Sequence, residues 1–268
     1  MLTTFAFLLT VSTLSVSPSE TDLPRAPIVL DEVQPISRTQ GAAPLGLRIE
    51  LEGGALWTSR NDVRIPGTTG TQFSLMDLTG TGSWPVGRAT LEYDINERHG
   101  LRLLYAPLRT DGTGTLSQPT SFAGTTFNPG TAKARYRFDT YRLGYRYCFW
   151  ESDDWNWKGG VTALVRDASI EVSQGARNAE NTDLGVVPLF NLTGVRRLSE
   201  DWSAILDVEG AAAPAGRAVD ASLKLSYNLD DRTRLAFGYR TIEGGADNDT
   251  VYTFAWTHAA VVSLGWSF

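Results

Sequence analysis

The chain has 268 residues, with 24 Lys and Arg against 30 Asp and Glu, a formal net charge of −6 at pH 7, and a single cysteine, Cys148. The mild acidity argues against a nucleic-acid-binding protein, which carries a clustered basic surface. One cysteine excludes intramolecular disulfides and Cys-based zinc sites. The hydrophobic share of 42% is too high for a disordered chain. No apolar run recurs at the ~20-residue length of a membrane-spanning helix, so β-structure is favoured.

The first 44 residues differ from the rest of the chain. Residues 1–19 carry no charged side chain and contain the apolar run Phe5–Val11, which is typical of the central region of a signal peptide. We therefore expect 1–19 to be an export signal, with a cleavage site that the sequence does not define. Residues 20–44 are rich in proline without any period and are expected to form a tail or linker. The folded domain is expected over 45–268.

From residue 45 onward, apolar residues alternate with polar or small ones, which is the period of a β-strand. The C-terminal segment shows this best, because Leu264, Trp266 and Phe268 share one face. Residues 250–268 contain no Asp, Glu, Lys or Arg, so a terminal membrane helix is the rival interpretation, but the strict alternation favours a strand. We expect about ten strands, near 47–57, 86–95, 101–108, 132–149, 157–172, 186–198, 202–212, 219–229, 235–242 and 259–268.

The connections between these strands alternate in length. Short polar turns at 96–99, 151–154, 199–201 and 230–232 alternate with longer Gly-, Thr- and Pro-rich loops at 60–83, 110–131, 173–183 and 244–250. The glycines of 66–70 and 111–114 lack the lysine of a phosphate-binding loop, which indicates surface flexibility. Short turns at one end and long loops at the other are typical of a transmembrane β-barrel. We therefore predict an all-β fold: a single antiparallel transmembrane barrel of about ten strands in up-and-down order.

The polar face of the strands carries many charges, with arginine more frequent than lysine. The planar guanidinium suits close pairing with carboxylates, so we expect a barrel lumen filled by ion pairs. The alternative is the hydrated outer surface of a soluble, secreted barrel that binds an apolar ligand. A change in alternation near Asp139 predicts a β-bulge there. The predicted lumen ladder consists of Glu50, Glu52, Arg88, Glu92, Arg135, Arg137, Arg142, Arg146, Arg166, Asp207, Glu209, Asp220, Lys224 and Arg240.

Aromatic residues concentrate at the ends of the predicted strands, as expected where a membrane meets water. Tyr93, Trp155 and Trp202 lie near short turns, whereas Trp57 and Tyr136 lie near long loops. A soluble sandwich would bury most aromatic side chains centrally. The aromatic distribution therefore favours a membrane barrel.

With these strands, and with a terminal strand that places Leu264, Trp266 and the C-terminal Phe268 on one face, the chain resembles the outer-membrane β-barrel proteins of Gram-negative bacteria. The resemblance covers residues 45–268 at the level of architecture. It implies that the last strand is the assembly signal read by the barrel insertion machinery, and that outer-membrane lipid and lipopolysaccharide surround the barrel. It also implies a periplasmic tail and periplasmic short turns, with the long loops outside the cell. We expect no cofactor, no metal and no nucleic acid, and the oligomeric state stays open.

Candidate chemistry centres on His258, whose position in the strand places it outward with Trp256 and Ala260. Lipid A deacylase barrels carry a histidine and a serine two residues apart on one strand face, and Ala260 breaks that pattern here. An interfacial hydrogen-bonding histidine is therefore the favoured interpretation. Omptin-type proteases need paired aspartates and an Asp–His pair at the outer rim, and the weaker catalytic candidates beside His258 are Glu243, Asp247 and Asp249. Residues 243–249 are more typical of a turn with carboxylate caps, which could hold a loose Ca²⁺ ion.

These observations favour a non-enzymatic barrel with a charged, largely plugged lumen and a structural or surface-interaction role. The first alternative is an outer-membrane hydrolase, acting on lipid A or peptide, with a rim site around His258. The second is a narrow gated pore whose ion selectivity follows the row of Arg135, Arg137, Arg142 and Arg146.

Overall fold

A computed structural model describes residues 46–268, so the predicted signal at 1–19 and the whole predicted tail at 20–44 lie outside the described residues. The described part is almost entirely β-structure, as predicted. It contains one short helix, α1 (Met76–Thr79). The strands are β1 (Leu47–Arg64), β2 (Phe73–Ser74), β3 (Gly82–Asp94), β4 (His99–Ala106), β5 (Arg109–Leu116), β6 (Thr120–Phe122), β7 (Thr125–Phe127), β8 (Gly130–Glu151), β9 (Trp155–Gln174), β10 (Arg177–Arg197), β11 (Trp202–Ala213), β12 (Gly216–Asn228), β13 (Thr233–Asp247) and β14 (Tyr252–Ser267).

The sheet closes into a barrel of ten antiparallel staves, which confirms the predicted fold. Nine staves are the single strands β1, β3 and β8 to β14, and the tenth consists of β4 followed by β5, both paired with β8. Each stave pairs with its neighbours in the sequence, and β14 pairs with β1 to close the ring. Leu264 lies opposite Leu51 in that closing pair. The connectivity is therefore an up-and-down meander without crossovers.

The apolar face of the staves points away from the barrel axis. Leu51, Leu143, Val161, Leu223 and Val262 are each at least 50% exposed. By contrast, the charged residues on the opposite face are buried in the lumen, including Arg142 and Lys224 at 6% and 5% exposure. A soluble barrel would show the reverse arrangement. Lipid is therefore the solvent for the outer face.

An arginine on the outer face provides a direct test of this assignment. Replacement of Leu223, which is 60% exposed, by Arg is expected to destabilise the barrel in lipid vesicles by about 2–4 kcal/mol, because a charge would sit in hydrocarbon. The measurement is urea unfolding followed by tryptophan fluorescence. Thr113→Arg, on the exposed outer face of β5 near the end with the long loops, is the matched control and should change stability by less than about 0.5 kcal/mol. Equal stabilities for L223R and wild type would contradict a membrane-facing surface.

The short turns predicted from sequence join β3 to β4, β8 to β9, β10 to β11, and β12 to β13. In the last of these turns, the Asp230 carboxylate accepts hydrogen bonds from the backbone N–H groups of Arg232 and Thr233, each at 2.8 Å. These two donors hold the pKa of Asp230 below its usual value, because they stabilise the charged form. The polar side chains of the turns therefore fix their own backbone.

Four strands continue beyond the apolar belt as a sheet that we call the extension: β5, β8, β9 and β10 past the level of Asp139 and Asp167. The prediction of a loop at 173–183 is wrong, because these residues form the paired ends of β9 and β10 and the two-residue turn between them. The predicted bulge near Asp139 is also wrong: β8 and β9 keep an unbroken register from Lys133 to Cys148. What changes at Asp139 is the chemistry of each face. Beyond it, the inward face is apolar and the outward face is charged, as in a soluble sheet.

The segments between β1 and β3 and between β5 and β8 fold over the inner face of the extension, and we call them the cap (65–81 and 117–129). Backbone hydrogen bonds hold the cap in place. The N–H of Leu75 donates to the carbonyl oxygen of Asn61 in β1 at 2.7 Å, and the N–H of Ala123 donates to the carbonyl oxygen of Ile65 at 2.9 Å, which joins the two segments. The buried core between cap and extension is formed by Val63, Ile65, Leu75, Leu78, Leu116, Phe122, Phe127, Ala132, Ala134, Tyr136, Ile170, Val172 and Ala179.

Within residues 46–268, no helix is both long and apolar enough to cross a bilayer.

Two glycines of β5 allow the helix of the cap to lie against the extension. A Cβ on Gly114 would come within 1.9 Å of the carbonyl oxygen of Asp77, and a Cβ on Gly112 within 2.7 Å of the Cα of Thr79. These distances are too short for any side chain, so the glycines serve close packing. The interpretation of 111–114 as a flexible surface loop is therefore wrong.

Candidate functional site

The lumen holds two groups of ion pairs that are joined through the Thr193 hydroxyl, which accepts from Arg146 and donates to Asp207, and together we call them the lumen network. Its members come from eight of the ten staves, and its cations outnumber its carboxylates by two. It consists of nine cations, Arg48, Arg88, Arg102, Arg142, Arg146, Lys158, Lys224, Arg234 and Arg240, and seven carboxylates, Glu50, Glu52, Glu92, Asp94, Asp207, Glu209 and Asp220.

Asp220 on β12 lies at the centre of the lumen network. Its two carboxylate oxygens accept from three guanidinium groups: Arg88 at 2.7 Å, Arg142 at 2.8 Å and Arg240 at 2.6 Å. These arginines belong to β3, β8 and β13, so one carboxylate connects four staves across the lumen. All four side chains are at most 6% exposed. The lumen at this level is therefore filled by side chains.

Carboxylates on either side of Asp220 extend the lumen network. Glu52 pairs with Arg240 at 2.9 Å and with Lys224 at 3.1 Å. Across the lumen, Asp207 forms two bonds with Arg102, at 2.7 and 3.0 Å. Such fork-to-fork pairing combines charge with fixed geometry. Each buried carboxylate is thus paired from two or more directions, as a low-dielectric interior requires.

The lumen network becomes more hydrated toward the end with the short turns. Arg48 bonds Glu92 at 3.2 Å and Asp94 at 2.7 Å, with side-chain exposures of 22–32%. Arg146 also pairs with Glu92. This end of the lumen is open to water, whereas the level of Asp220 is closed to it.

Three residues of the predicted ladder lie outside the lumen network; the structure corrects the placement of Arg135 and Arg137, whereas Arg166 keeps its predicted inward face. Arg135 and Arg137 point outward from the extension, where Arg137 bonds Asp167 at 2.6 and 2.9 Å, and the Arg135 side chain is 66% exposed. They keep the same face of β8 as Tyr141 and Leu143, which meet lipid. Arg166 pairs with Asp183 near the end with the long loops. The other eleven ladder residues belong to the lumen network.

Two small cavities border the lumen network. The larger, about 90 Å³, has apolar walls that include Tyr136 and Leu189, and it reaches Arg142 and Asp220. The smaller, about 50 Å³, lies against Leu56 and Val86. Both contact Leu108 and Phe138. Their sizes suit a few water molecules, not a continuous aqueous channel.

His258 lies on the outer face of β14, in a group of side chains that we call the rim cluster: Trp57, Ser59, Tyr239, Thr241, Trp256 and His258. Its Nε2 is 2.9 Å from the hydroxyl oxygen of Ser59, and its Nδ1 is hydrogen-bonded to the hydroxyl of Tyr239. The rings of His258 and Trp57 are stacked, with centroids 5.8 Å apart. The Trp256 indole N–H donates to Thr241 at 2.8 Å. A histidine between two hydroxyl groups is thus fixed in an aromatic surface.

The carboxylates proposed as partners of His258 lie elsewhere in the described residues. Glu243 forms an ion pair with Arg217 at 2.7 Å. Asp247 and Asp249 belong to the β13–β14 connection, whose turn is capped by Asn248 and not by a carboxylate: its Oδ1 accepts from the N–H groups of Thr250 and Val251, both at 3.0 Å. No group of three or more potential metal-ligating side chains occurs among residues 46–268. The Asp–His pair of the omptin resemblance is therefore not formed.

The residues of the expected assembly signal lie on the outer face of the closing strand pair. Trp266 pairs with Ile49 and Leu264 with Leu51 across the seam of β14 and β1. Phe268 is 51% exposed, and its backbone N–H donates to Leu47 at 3.0 Å. The terminal segment thus closes the ring and presents its apolar side to lipid.

Sequence reasoning missed Ser59, which is 199 residues from His258 in the chain. The two residues meet only because β1 pairs with β14. Burial along β1 in the structure marks the position of Ser59: the buried residues occupy even positions through Leu56 and Thr58, and odd positions at Asn61 and Val63. That switch marks a bulge, where a strand often redirects a side chain.

Comparisons with known proteins agree with the fold. No protein-family model matches the chain, and a search of curated proteins finds no match. Among solved structures, the chain is similar to the outer membrane protease OmpT from Escherichia coli, with a TM-score of 0.56 and 10% identity over 84% of this chain and 97% of that one. It is also similar to Neisserial surface protein A, with a TM-score of 0.36 and 12% identity over 83% and 97%. At these identities the likeness to OmpT shows the fold alone.

Proposed function

We propose that the chain is an outer-membrane barrel with a sealed lumen, with its short turns in the periplasm and its cap and extension outside the cell. Its role is structural or surface-interacting, and not the free diffusion of solutes. The observation that carries this proposal is the bridge of Arg88, Arg142 and Arg240 on Asp220 across the middle of the lumen.

Two barriers in series support a sealed lumen. At the level of Asp220, ions would have to displace buried ion pairs, and leaving any one buried charge unpaired costs several kcal/mol. Above it, the cap closes the far end with an apolar core in which Phe122 and Phe127 are fully buried. An ion that entered from the periplasm would meet first the lumen network and then the cap.

The outer surface of the extension is suited to contact with molecules at the cell surface. It alternates charges on neighbouring strands, with Asp111 beside Arg135 and Arg135 beside Glu171. Arg109 and Arg135 are both 66% exposed at their side chains. Mixed exposed charges of this kind suit the headgroups of lipopolysaccharide or a protein partner of mixed charge.

Planar-bilayer recording tests the sealed lumen. The purified, folded protein is expected to show no steady conductance above that of the bare bilayer, because the buried ion pairs around Asp220 bridge the middle of the lumen. A triple variant, Arg88→Ser, Arg142→Ser and Asp220→Ser, removes most of the central bridge and should conduct if it folds, with the wild type and the exposed-turn variant Asp153→Ser as silent controls. A large, steady and ion-selective conductance of the wild type would overturn the proposal.

The narrow-pore alternative has less support from the lumen. Of the arginine row expected to set its selectivity, Arg142 and Arg146 face the lumen, whereas Arg135 and Arg137 face outward. Charge reversal at Arg142 or Arg146 would therefore test ion preference if conductance were found.

A further inference from the structure

We propose that Ser59, His258 and Tyr239 form a hydrolytic site on the lipid-facing surface of the barrel, which cleaves acyl esters of outer-leaflet lipids. The site is independent of the lumen and of whether the lumen conducts. The observation that points to this site is the contact of the Ser59 hydroxyl with His258. Aromatic residues that only anchor a barrel at the membrane interface do not require such a contact.

A β-bulge builds the contact. Thr58 lies opposite Thr257 and Arg60 lies opposite Trp256, so Ser59 is the extra residue of β1 with no partner in β14. Bulges bend a strand and re-aim a side chain. Here the Ser59 side chain is directed along the outer face toward His258, with its oxygen 2.9 Å from Nε2.

The hydrogen bonds suit the activation of a hydroxyl nucleophile. For Nε2 to accept the Ser59 proton, Nδ1 must carry the imidazole hydrogen and donate it. The Tyr239 oxygen is the acceptor in that tautomer, with Thr241 at 3.4 Å as a longer contact. A nucleophile, a base and a group that orients the base within hydrogen-bonding reach are the general features of covalent hydrolysis. Tyr239 is thus a positioning residue, and Ser59 and His258 are the catalytic residues.

The position along the barrel axis indicates the substrate. Toward the long loops, the outer face next to the rim cluster carries two ion pairs, Arg60 with Asp62 and Arg217 with Glu243, both at 2.7 Å. In the other direction the surface is apolar, with Phe237 at 46% and Val262 at 55% exposure. The rim cluster therefore lies at the boundary between charged and apolar surface. In a lipid, that boundary is where acyl chains join their headgroup through esters.

The rim cluster is also accessible from the membrane. Trp57, Tyr239 and Trp256 are 40%, 44% and 46% exposed, all on the outer face. Their rings form apolar walls around His258, with the Trp57 ring stacked on the imidazole. An acyl chain can lie along these rings while its ester carbonyl reaches Ser59.

The chemistry balances without any cofactor. The Ser59 oxygen bonds to the ester carbonyl carbon as its proton passes to Nε2 of His258. The carbon–oxygen bond to the alcohol then breaks, and the imidazolium returns the proton to the leaving alkoxide. Water, deprotonated by His258, attacks the acyl-serine, releases the fatty acid and restores the hydroxyl of Ser59.

The test uses the folded full chain with a fluorophosphonate probe and with two kinds of vesicle, one of phosphatidylethanolamine and phosphatidylglycerol, the other containing lipopolysaccharide. We expect the probe to modify Ser59, as shown by peptide mass spectrometry, and fatty acid to be released. Ser59→Ala should lower the release at least 10³-fold, because nucleophile and base act as a unit. Ser173→Ala, a serine of the extension, is the matched control and should retain full activity. The chain length and 3-hydroxylation of the released acids distinguish phospholipid from lipopolysaccharide as the source.

Tyr239→Phe separates a positioning role from a structural one. It removes the acceptor of the Nδ1 hydrogen, so probe labelling of Ser59 should slow about 10²-fold or less, and its pH profile should shift while the folded gel mobility stays unchanged. Unlabelled Ser59, or fatty-acid release that persists in S59A, would overturn the proposal. Cleavage of peptides in place of esters would overturn the substrate class.

Discussion

Asp220→Ala should destabilise the barrel by about 3–5 kcal/mol, because it leaves three buried guanidinium groups without their shared carboxylate. Arg240 and Arg142 keep partners in Glu52 and Glu209, but Arg88 keeps only Glu52, at 3.9 Å. The three positive charges would also repel one another across the lumen. Urea unfolding of the protein in lipid vesicles, followed by tryptophan fluorescence and by folded gel mobility, measures the change.

Two further variants make the result at Asp220 specific. Asp153→Ala, in an exposed turn, should change stability by less than about 0.5 kcal/mol. Asp220→Asn keeps the volume of the side chain while removing its charge, so a loss close to that of D220A would attribute the effect to charge and not to a cavity. If D220A unfolded at the wild-type urea concentration, the lumen network would not be a main source of rigidity in the barrel.

Phe127→Ala is expected to cost the cap about 3–5 kcal/mol, because the side chain is fully buried in its core. The loss should be local: the cap opens while the membrane-spanning staves stay folded, since the lumen network does not involve Phe127. Limited proteolysis of vesicles should then cut within 65–81 or 117–129, where the wild type resists. Exposure of the buried Tyr136 hydroxyl provides a second signal, because burial raises the pKa of Tyr136 and its titration should move back toward the ordinary range.

The control for this variant is Phe149→Ala, which removes the same ring from a position that is 54% exposed on the barrel exterior. It should leave the proteolytic pattern unchanged. If F127A resisted proteolysis as well as the wild type, the cap would be held by its backbone hydrogen bonds, such as that from Leu75 to Asn61, and not by its apolar core.

The fold could be predicted because strand alternation is local and repeats ten times. The outward faces of β1, β12 and β14 can be predicted directly from apolar residues such as Leu51, Leu223 and Val262. Alternation does not reveal where the solvent of a face changes, so an apolar Tyr136 on the inward face predicts a bulge near Asp139 that β8 does not contain. The sequence pattern is the same for a strand that keeps its register while passing from lipid to water and for a strand that shifts by one residue.

The rim cluster was only partly predictable for a different reason. His258 and Trp256 stand close in the sequence, and their shared outward face follows from alternation. Ser59 and Tyr239 belong to other strands, and their distance from His258 depends on the closing register of β1 with β14. A register between the two ends of a chain is set by the whole ring, including the bulge at Ser59, and no local pattern contains it.

The unbroken register through Asp139 has a consequence for how substitutions will be tolerated along β8. A saturation scan of β8 should find that position 143 accepts leucine and rejects arginine, whereas position 135 accepts arginine and rejects leucine. Both side chains nevertheless project from the same face of one continuous strand. The position where this preference reverses would report the depth of the bilayer from survival counts alone.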